Sequence, residues 1–327
     1  MTRRKFYEFL DKLKKEYSLI GPTKKKDGLF FTELNSAKDL ALTDEFPVYP
    51  PKQYLVPQSE VLFKYKQHQL KEVLPADNKQ ILLGINLCDL KAVMLYDQVF
   101  EKDPYYQKRQ RETVITGQTA LPIEKSVVNT FGQKMEEDVL EHLKFDIIFG
   151  KTKNEIKFFT GSELGQQILD KYKVKNYEHV DFQGQIPEQG VSHKAISQYK
   201  RVKNSAGLAV WEELGKKCIA CGKCTIVCPT CFCWQMIDKP CVEPETGQRC
   251  REWDSCFYNN FSRIADNHKF LKTVKDRIYF WYQHKFVRIP EEFQFTVPGC
   301  IGCGRCTKVC PAGIDIKKVL ESLKKYE

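Results

Sequence analysis

Cysteine is the residue whose spacing in this chain could do chemistry. Residues 218–229 read CIACGKCTIVCP and residues 300–311 read CIGCGRCTKVCP, identical at nine of twelve positions. Each copy runs Cys-x₂-Cys-x₂-Cys-x₃-Cys-Pro, the spacing that binds [4Fe–4S] clusters in two-cluster ferredoxins. The first supplies Cys218, Cys221, Cys224 and Cys228, the second Cys300, Cys303, Cys306 and Cys310. Three closely spaced thiolates wrap one corner of a cubane, and the proline behind the fourth cysteine turns the chain away. That fourth cysteine reaches the other cluster. The spacing therefore predicts Cys218, Cys221, Cys224 and Cys310 around one cluster, and Cys228, Cys300, Cys303 and Cys306 around a second. Gly222, Gly302 and Gly304 allow the backbone to approach inorganic sulfide. Two zinc knuckles are the rival, but zinc takes four ligands, usually as two pairs, and leaves the third Cys-x₂ step and the Cys-Pro unexplained.

Five further cysteines lie between the motifs: Cys231, Cys233, Cys241, Cys250 and Cys256. Cys231 and Cys233 follow the first motif in CPTCFC, and could hold a third cluster with Cys256 and one of Cys241 or Cys250. Their spacing matches no standard motif; buried thiols or a metal shared with a partner are the alternatives. Cys88, alone at a strand end, reads as a buried thiol. The six histidines are scattered and read as structural. No strand-Gly-x-Gly-x-x-Gly-helix unit, Walker loop or His-Glu-x-x-His is written here. One-electron centres without a visible site for hydride or substrate imply a wire: no catalytic residue, and neither flavin nor NAD held by this chain.

The elements that must position these motifs fall into two parts. An N-terminal mixed α/β domain is expected over residues 1–195, serving as a docking module for partners. A helix over 4–17 presents Phe6, Phe9, Leu10, Leu13 and Tyr17 as one apolar stripe. Asp27-Gly28 signals a turn before a strand at 29–32. The prolines at 47, 50, 51 and 57 demand an irregular extended segment. Residues 81–87, ILLGINL, read as a buried strand followed by a helix to about Val99. Strand–turn–helix recurs through residue 169, which implies a mixed sheet. Residues 183–199 read as a linker, and a helix over 199–214 leads to Cys218. Residues 196–327 then form a mainly helical, ferredoxin-like domain for two [4Fe–4S] clusters, with a long aromatic-rich insert between the motifs; the class is α+β. Asp315 caps a last helix that buries Ile316, Val319, Leu320 and Leu323.

Length and composition bound the rest. The 327 residues suffice for two domains, and 42% hydrophobic content is ordinary for a chain with a core. No segment approaches ~18 uncharged apolar residues, so no membrane span is expected. Fourteen cysteines and no export signal point to a reducing cytoplasm and to metal. The formal charge is +10; two clusters with their thiolates, each about −2, cut this to roughly +6. Basic residues are spread along the whole length, so a solvated surface is a better reading than nucleic-acid binding.

The segments PPKQYLVPQSEVLF, GINLCDLKAV, DPYYQKR, KCIACGKCTIVCPTCFC, REWDSC, HKF and GCIGCGRCTKVCPAGIDI, in this order, cover most of the chain. They resemble the iron–sulfur β subunits of cytoplasmic NAD(P)-linked nickel–iron hydrogenases (sulfhydrogenases) and the related electron-transfer subunit of anaerobic sulfite reductase. The resemblance implies electron transfer between an FAD flavoprotein that binds NAD(P)H and a catalytic hydrogenase or sulfite reductase subunit. Relatives carry a Cys…Cys-Phe-Cys group after DPYYQKR; here that region reads TGQTALPIEKSVVNTFGQK, which implies that no cluster is bound there. Two other readings stand beside the wire: a reductase whose active site is a special third cluster, and a redox-sensing module without a fixed electron partner.

Overall fold

The computed structural model describes residues 1–123, 129–131, 138–184 and 193–327. The chain forms two compact units, one of Met1–Pro51, Ala76–Val191 and Ile301–Cys303, the other of Lys52–Pro75, Ser192–Cys300 and Gly304–Glu327.

The first unit is built on a seven-stranded sheet. Its strands are β1 (Ser18–Lys25), β2 (Gly28–Glu33), β5 (Gln80–Asn86), β6 (Thr113–Ala120), β7 (Ile147–Lys151), β8 (Ile156–Thr160) and β9 (Tyr177–His179), in the order β2-β1-β5-β6-β7-β8-β9. β1, β5, β6 and β7 run parallel, while β2 and β8 are antiparallel to their neighbours, so the sheet is mixed as expected. The Asp27-Gly28 turn joins β1 to β2, with Lys25 paired to Gly28. β5 is buried at every position, as a strand covered on both faces must be. Helix α1 (Arg3–Leu13) lays Phe6, Phe9, Leu10 and Leu13 on the core, where Phe6 meets the Phe149 ring edge-on at 5.0 Å. It ends four residues before the expected Tyr17. Helix α2 (Leu87–Val99) starts on Asn86, whose side chain accepts the Asp89 amide. Asp103 caps α3 (Pro104–Arg111) and Ser162 caps α4 (Glu163–Lys171) in the same way.

The second unit departs from the mainly helical expectation. Its helices share the fold with a four-stranded antiparallel sheet of β3 (Ser59–Lys66), β4 (Gln69–Glu72), β10 (Trp234–Pro240) and β11 (Thr246–Trp253), in the order β10-β11-β3-β4. Much of the insert between the motifs is therefore a hairpin, and it recruits the segment Lys52–Pro75 from far upstream. Arg251 of β11 forms a buried ion pair with Glu60 of β3 at 2.5 Å. The expected helix over 199–214 is two helices, α5 (His193–Lys203) and α6 (Ala209–Lys217), separated at Gly207, whose φ is +75°. Of the expected linker, residues 185–192 lie outside the described residues, and 193–199 belong to α5.

The remaining helices are α7 (Lys223–Ile226), α8 (Val274–Gln283), α9 (Ile289–Glu292), α10 (Arg305–Val309) and α11 (Ile316–Ser322), with a π-helical turn at His284–Arg288. Asp315 caps α11 and Ile316, Val319 and Leu320 are buried, as read from the sequence. Of the insert's aromatics, Phe257, Trp281, Tyr282 and Phe286 are core, whereas Trp234, Tyr258 and Phe270 are exposed. Among the described residues no helix is long and apolar enough to cross a membrane.

Glu60→Ala should remove the carboxylate that faces the buried Arg251 guanidinium and destabilise the second unit by roughly 3–5 kcal/mol. Urea unfolding followed by tryptophan fluorescence checks this, since Trp253 lies on β11. An unchanged midpoint would remove the ion pair from the account of this sheet.

Candidate iron–sulfur centre

Both cysteine motifs fold by the same device. In each, a glycine with left-handed backbone starts a short helix that carries the third cysteine: Gly222 (φ +74°) before α7 and Gly304 (φ +71°) before α10. A side chain at Gly222 would also collide with the Tyr258 ring, 2.6 Å from its Cβ position. The Ala220 amide points at Cys218 Sγ (3.4 Å) and the Ile314 amide at Cys310 Sγ (3.4 Å). Backbone donors turned toward cysteine sulfur are what a loop around an anionic cluster needs. Thr225 donates to the Gly222 carbonyl at 2.7 Å and its hydroxyl lies 2.8 Å from Ser255 Oγ, which ties the loop to the segment after β11.

The two motifs meet at one cavity in the second unit. Cys218, Cys221 and Cys224 line it together with Cys310, and Cys306 joins them. Its other walls, Phe257, Ile278, Ile314 and Ile316 among them, are apolar. Three buried polar atoms of α8 find no hydrogen-bond partner among the described residues: Arg277 Nε, Trp281 Nε1 and Tyr282 Oη. Trp281 and Tyr282 also line the cavity. All three can donate, so the site suits a guest rich in acceptors, as thiolate and sulfide are. Burial pushes the Cys218 and Cys224 thiols up, and neighbouring cysteine sulfurs add to this; bound metal reverses it by displacing the proton. Burial, with the sulfurs of Cys306, Cys224 and Cys300, keeps the Tyr282 phenol protonated as a donor.

Among the described residues, no group of three or more His, Cys, Asp or Glu side chains is set to hold a metal ion. A zinc site gathers four ligand atoms about 2.0–2.3 Å from one point. A cubane spreads its ligands over four irons, and cysteines distributed around a cavity fit that better. The donor set, the amides aimed at sulfur and the orphaned donors of α8 therefore all suit a [4Fe–4S] cluster.

Cys228 sits in a different setting. Its sulfur lies 3.2 Å from Thr230 Oγ1 and receives the Lys285 ammonium at 3.0 Å. Lys285 also reaches Thr230 Oγ1 at 3.1 Å and the Gly299 carbonyl at 3.4 Å. Gly299 is required there, because its Cβ position is 2.1 Å from the Lys285 carbonyl oxygen. Burial works against the Lys285 charge, but the sulfurs of Cys228, Cys231 and Cys300 outweigh it and hold the ammonium well above the usual lysine range. Cys228 thus accepts from a buried cation. Cys303 groups with the first unit, where the Thr130 amide donates to the Gly302 carbonyl at 2.7 Å.

The other cysteines divide. Cys231 and Cys233 are half-buried and Cys256 is buried. Cys241 is exposed, Cys250 is buried within β11, and Cys88 is buried in the first turn of α2. Burial pushes His284 down to about 4, so this histidine is neutral at physiological pH. The sequence missed Lys52, Thr230, Arg277, Tyr282 and Lys285 as site residues. Lys285 was visible only as the centre of the HKF segment.

Residues 217–314 match the family described as "4Fe-4S dicluster domain". Sulfhydrogenase 2 subunit beta of Pyrococcus furiosus is 30% identical over 98% of this chain and 96% of its own length. No solved structure matches the chain. Near-complete coverage of both chains, with the dicluster family lying over both cysteine motifs, shows that the chain belongs to the iron–sulfur β subunits of sulfhydrogenases.

Proposed function

We propose that this chain is the electron-transfer subunit of a cytoplasmic oxidoreductase complex, relaying single electrons between an FAD flavoprotein that binds NAD(P)H and a catalytic hydrogenase subunit. The observation that carries this reading is the cavity shared by Cys218, Cys221, Cys224 and Cys310. In this reading those four hold one [4Fe–4S] cluster, and Cys228, Cys300, Cys303 and Cys306 hold a second. Bound clusters supply one-electron storage at a potential that their surroundings set. The chain's own residues do the rest. Trp281 and Tyr282 offer donors to sulfur, the apolar walls keep water away, and Lys285 places positive charge against Cys228. The chain binds neither flavin nor NAD, and the N-terminal domain is the docking module.

Removing single ligands tests the exchange of cysteines between motifs. Cys310→Ser and Cys218→Ser should abolish the same cluster signal in EPR of the anaerobic protein, and Cys228→Ser should abolish the other. If Cys310→Ser instead acts with Cys300→Ser, the assignment is wrong. Lys285→Met should move the cluster served by Cys228 to more negative potential, on the order of a hundred millivolts for a unit charge at an effective dielectric of about 20. EPR-monitored redox titration reads this, and equal shifts in both clusters would contradict it. Native isolation should recover the chain with a flavoprotein and a large metal subunit, and Cys310→Ser should abolish hydrogen-dependent NAD(P)⁺ reduction by that complex. Isolation of the chain without either partner would contradict the function.

A further inference from the structure

We propose that the loop around Cys221 is the docking face for a separate one-electron carrier protein with an acidic surface, which passes electrons to the cluster of the shared cavity. The proposal rests on the reading that Cys218, Cys221, Cys224 and Cys310 hold a [4Fe–4S] cluster. It adds the point where electrons enter and the chemistry of the partner.

The first motif comes to the surface at its second cysteine. Of the eight ferredoxin-type cysteines, only Cys221 is exposed. Ile219 is 66% exposed although it lines the cavity, so one apolar side chain belongs both to the cavity wall and to the outer surface. Tyr258, 41% exposed, lies against the same loop, its ring 2.6 Å from the Cβ position of Gly222. The Tyr258 amide donates to the Ser255 carbonyl at 2.8 Å, and Ser255 Oγ meets the Thr225 hydroxyl at 2.8 Å, which fixes this segment on the motif. Electron transfer falls off steeply with distance. A cluster therefore exchanges electrons where one of its ligands reaches the surface, and here that place is flanked by two exposed apolar side chains.

The charge around this place selects the partner. Lys216 and Lys217 end α6 directly before Cys218, and Lys223 opens α7 and lines the cavity. All three are exposed. Residues 214–224 hold these three lysines and no acidic residue, and Glu212, one turn back on α6, is taken by Lys275 at 3.2 Å. Ammonium groups around an apolar pair fit a partner that carries carboxylates around its own redox centre. Permanent interfaces are large and apolar, and lysine is depleted from their cores, whereas electron-transfer encounters are small. A patch of two large apolar side chains with a lysine rim suits a carrier that comes and goes. One electron passes from the carrier's reduced centre to the cluster, which goes from [4Fe–4S]²⁺ to [4Fe–4S]⁺; no bond or proton moves.

Stopped-flow reduction of the iron-loaded chain in its native complex tests this. The donors are a pre-reduced acidic [2Fe–2S] ferredoxin and, as control, reduced methyl viologen, a small cation. The rate with ferredoxin should fall as salt is raised. Lys216→Glu/Lys217→Glu should lower it about tenfold or more at low salt and remove most of the salt dependence, without slowing the viologen reaction. Ile219→Ser should lower it at every salt concentration. Lys64→Glu/Lys71→Glu, the same change of charge on β3 and β4, should leave it unchanged. A ferredoxin rate indifferent to salt and to Lys216 and Lys217 overturns the docking face, and so does an equal loss with viologen, which places the effect on the cluster itself. Shielding of Lys216, Lys217 and Lys223 from acylation in the isolated complex also overturns it, in favour of a fixed subunit at this face. In each of these cases the clusters still take up electrons and the electron-transfer reading stands; a chain without iron overturns both.

Discussion

A lysine ammonium held 3.0 Å from a cysteine sulfur, at 3% exposure, is the interaction on which the second unit depends. Taking an ammonium out of water costs several kcal/mol unless an anion meets it. The groups facing Lys285 are sulfurs, a hydroxyl and a carbonyl, and only the sulfurs can become negative. The setting of Cys228 thus favours thiolate, the form in which cysteine ligates metal.

Helix α8 is the spine of that arrangement. Arg277, Trp281 and Lys285 recur at steps of four, so one face presents a guanidinium, an indole and an ammonium, with Tyr282 beside them. Trp211 of α6 anchors the helix by packing on Tyr279 and Tyr282, at ring separations of 5.0 and 5.1 Å. The π-helical turn at His284–Arg288 then re-aims the chain and brings Lys285 to Gly299, just ahead of the second motif. Such turns inside helices often occur at functional sites. One helix therefore serves both halves of the repeat, with donors for the shared cavity and a cation for Cys228.

Much of this was legible in the sequence because its causes are local. The Cys-x₂-Cys-x₂-Cys-x₃-Cys-Pro runs are fixed by how a loop wraps a cubane, the Asp27-Gly28 turn by backbone sterics, and α11 by its Asp315 cap and apolar spacing. Other features are set by partners far along the chain. β3 pairs with β11, and Glu60 meets Arg251 across 191 residues, which no local pattern announces. The proline-rich stretch gave no sign that Lys52 would be buried beside Cys231. Trp234, in the aromatic-rich insert, is exposed on β10, opposite Trp253. Reading 199–214 as one helix failed because α5 ends at Lys203 and the turn before α6 contains Gly207 with a left-handed backbone.

The central claim is that each ferredoxin-type cluster is completed by a cysteine of the opposite motif. Anomalous diffraction at the iron edge, from anaerobically grown crystals of the intact chain, tests it most directly. The account predicts a four-iron peak in the shared cavity, bonded to Cys218, Cys221, Cys224 and Cys310. Iron bonded by Cys228 together with the first three cysteines of its own motif, or anomalous signal at the zinc edge alone, would contradict it.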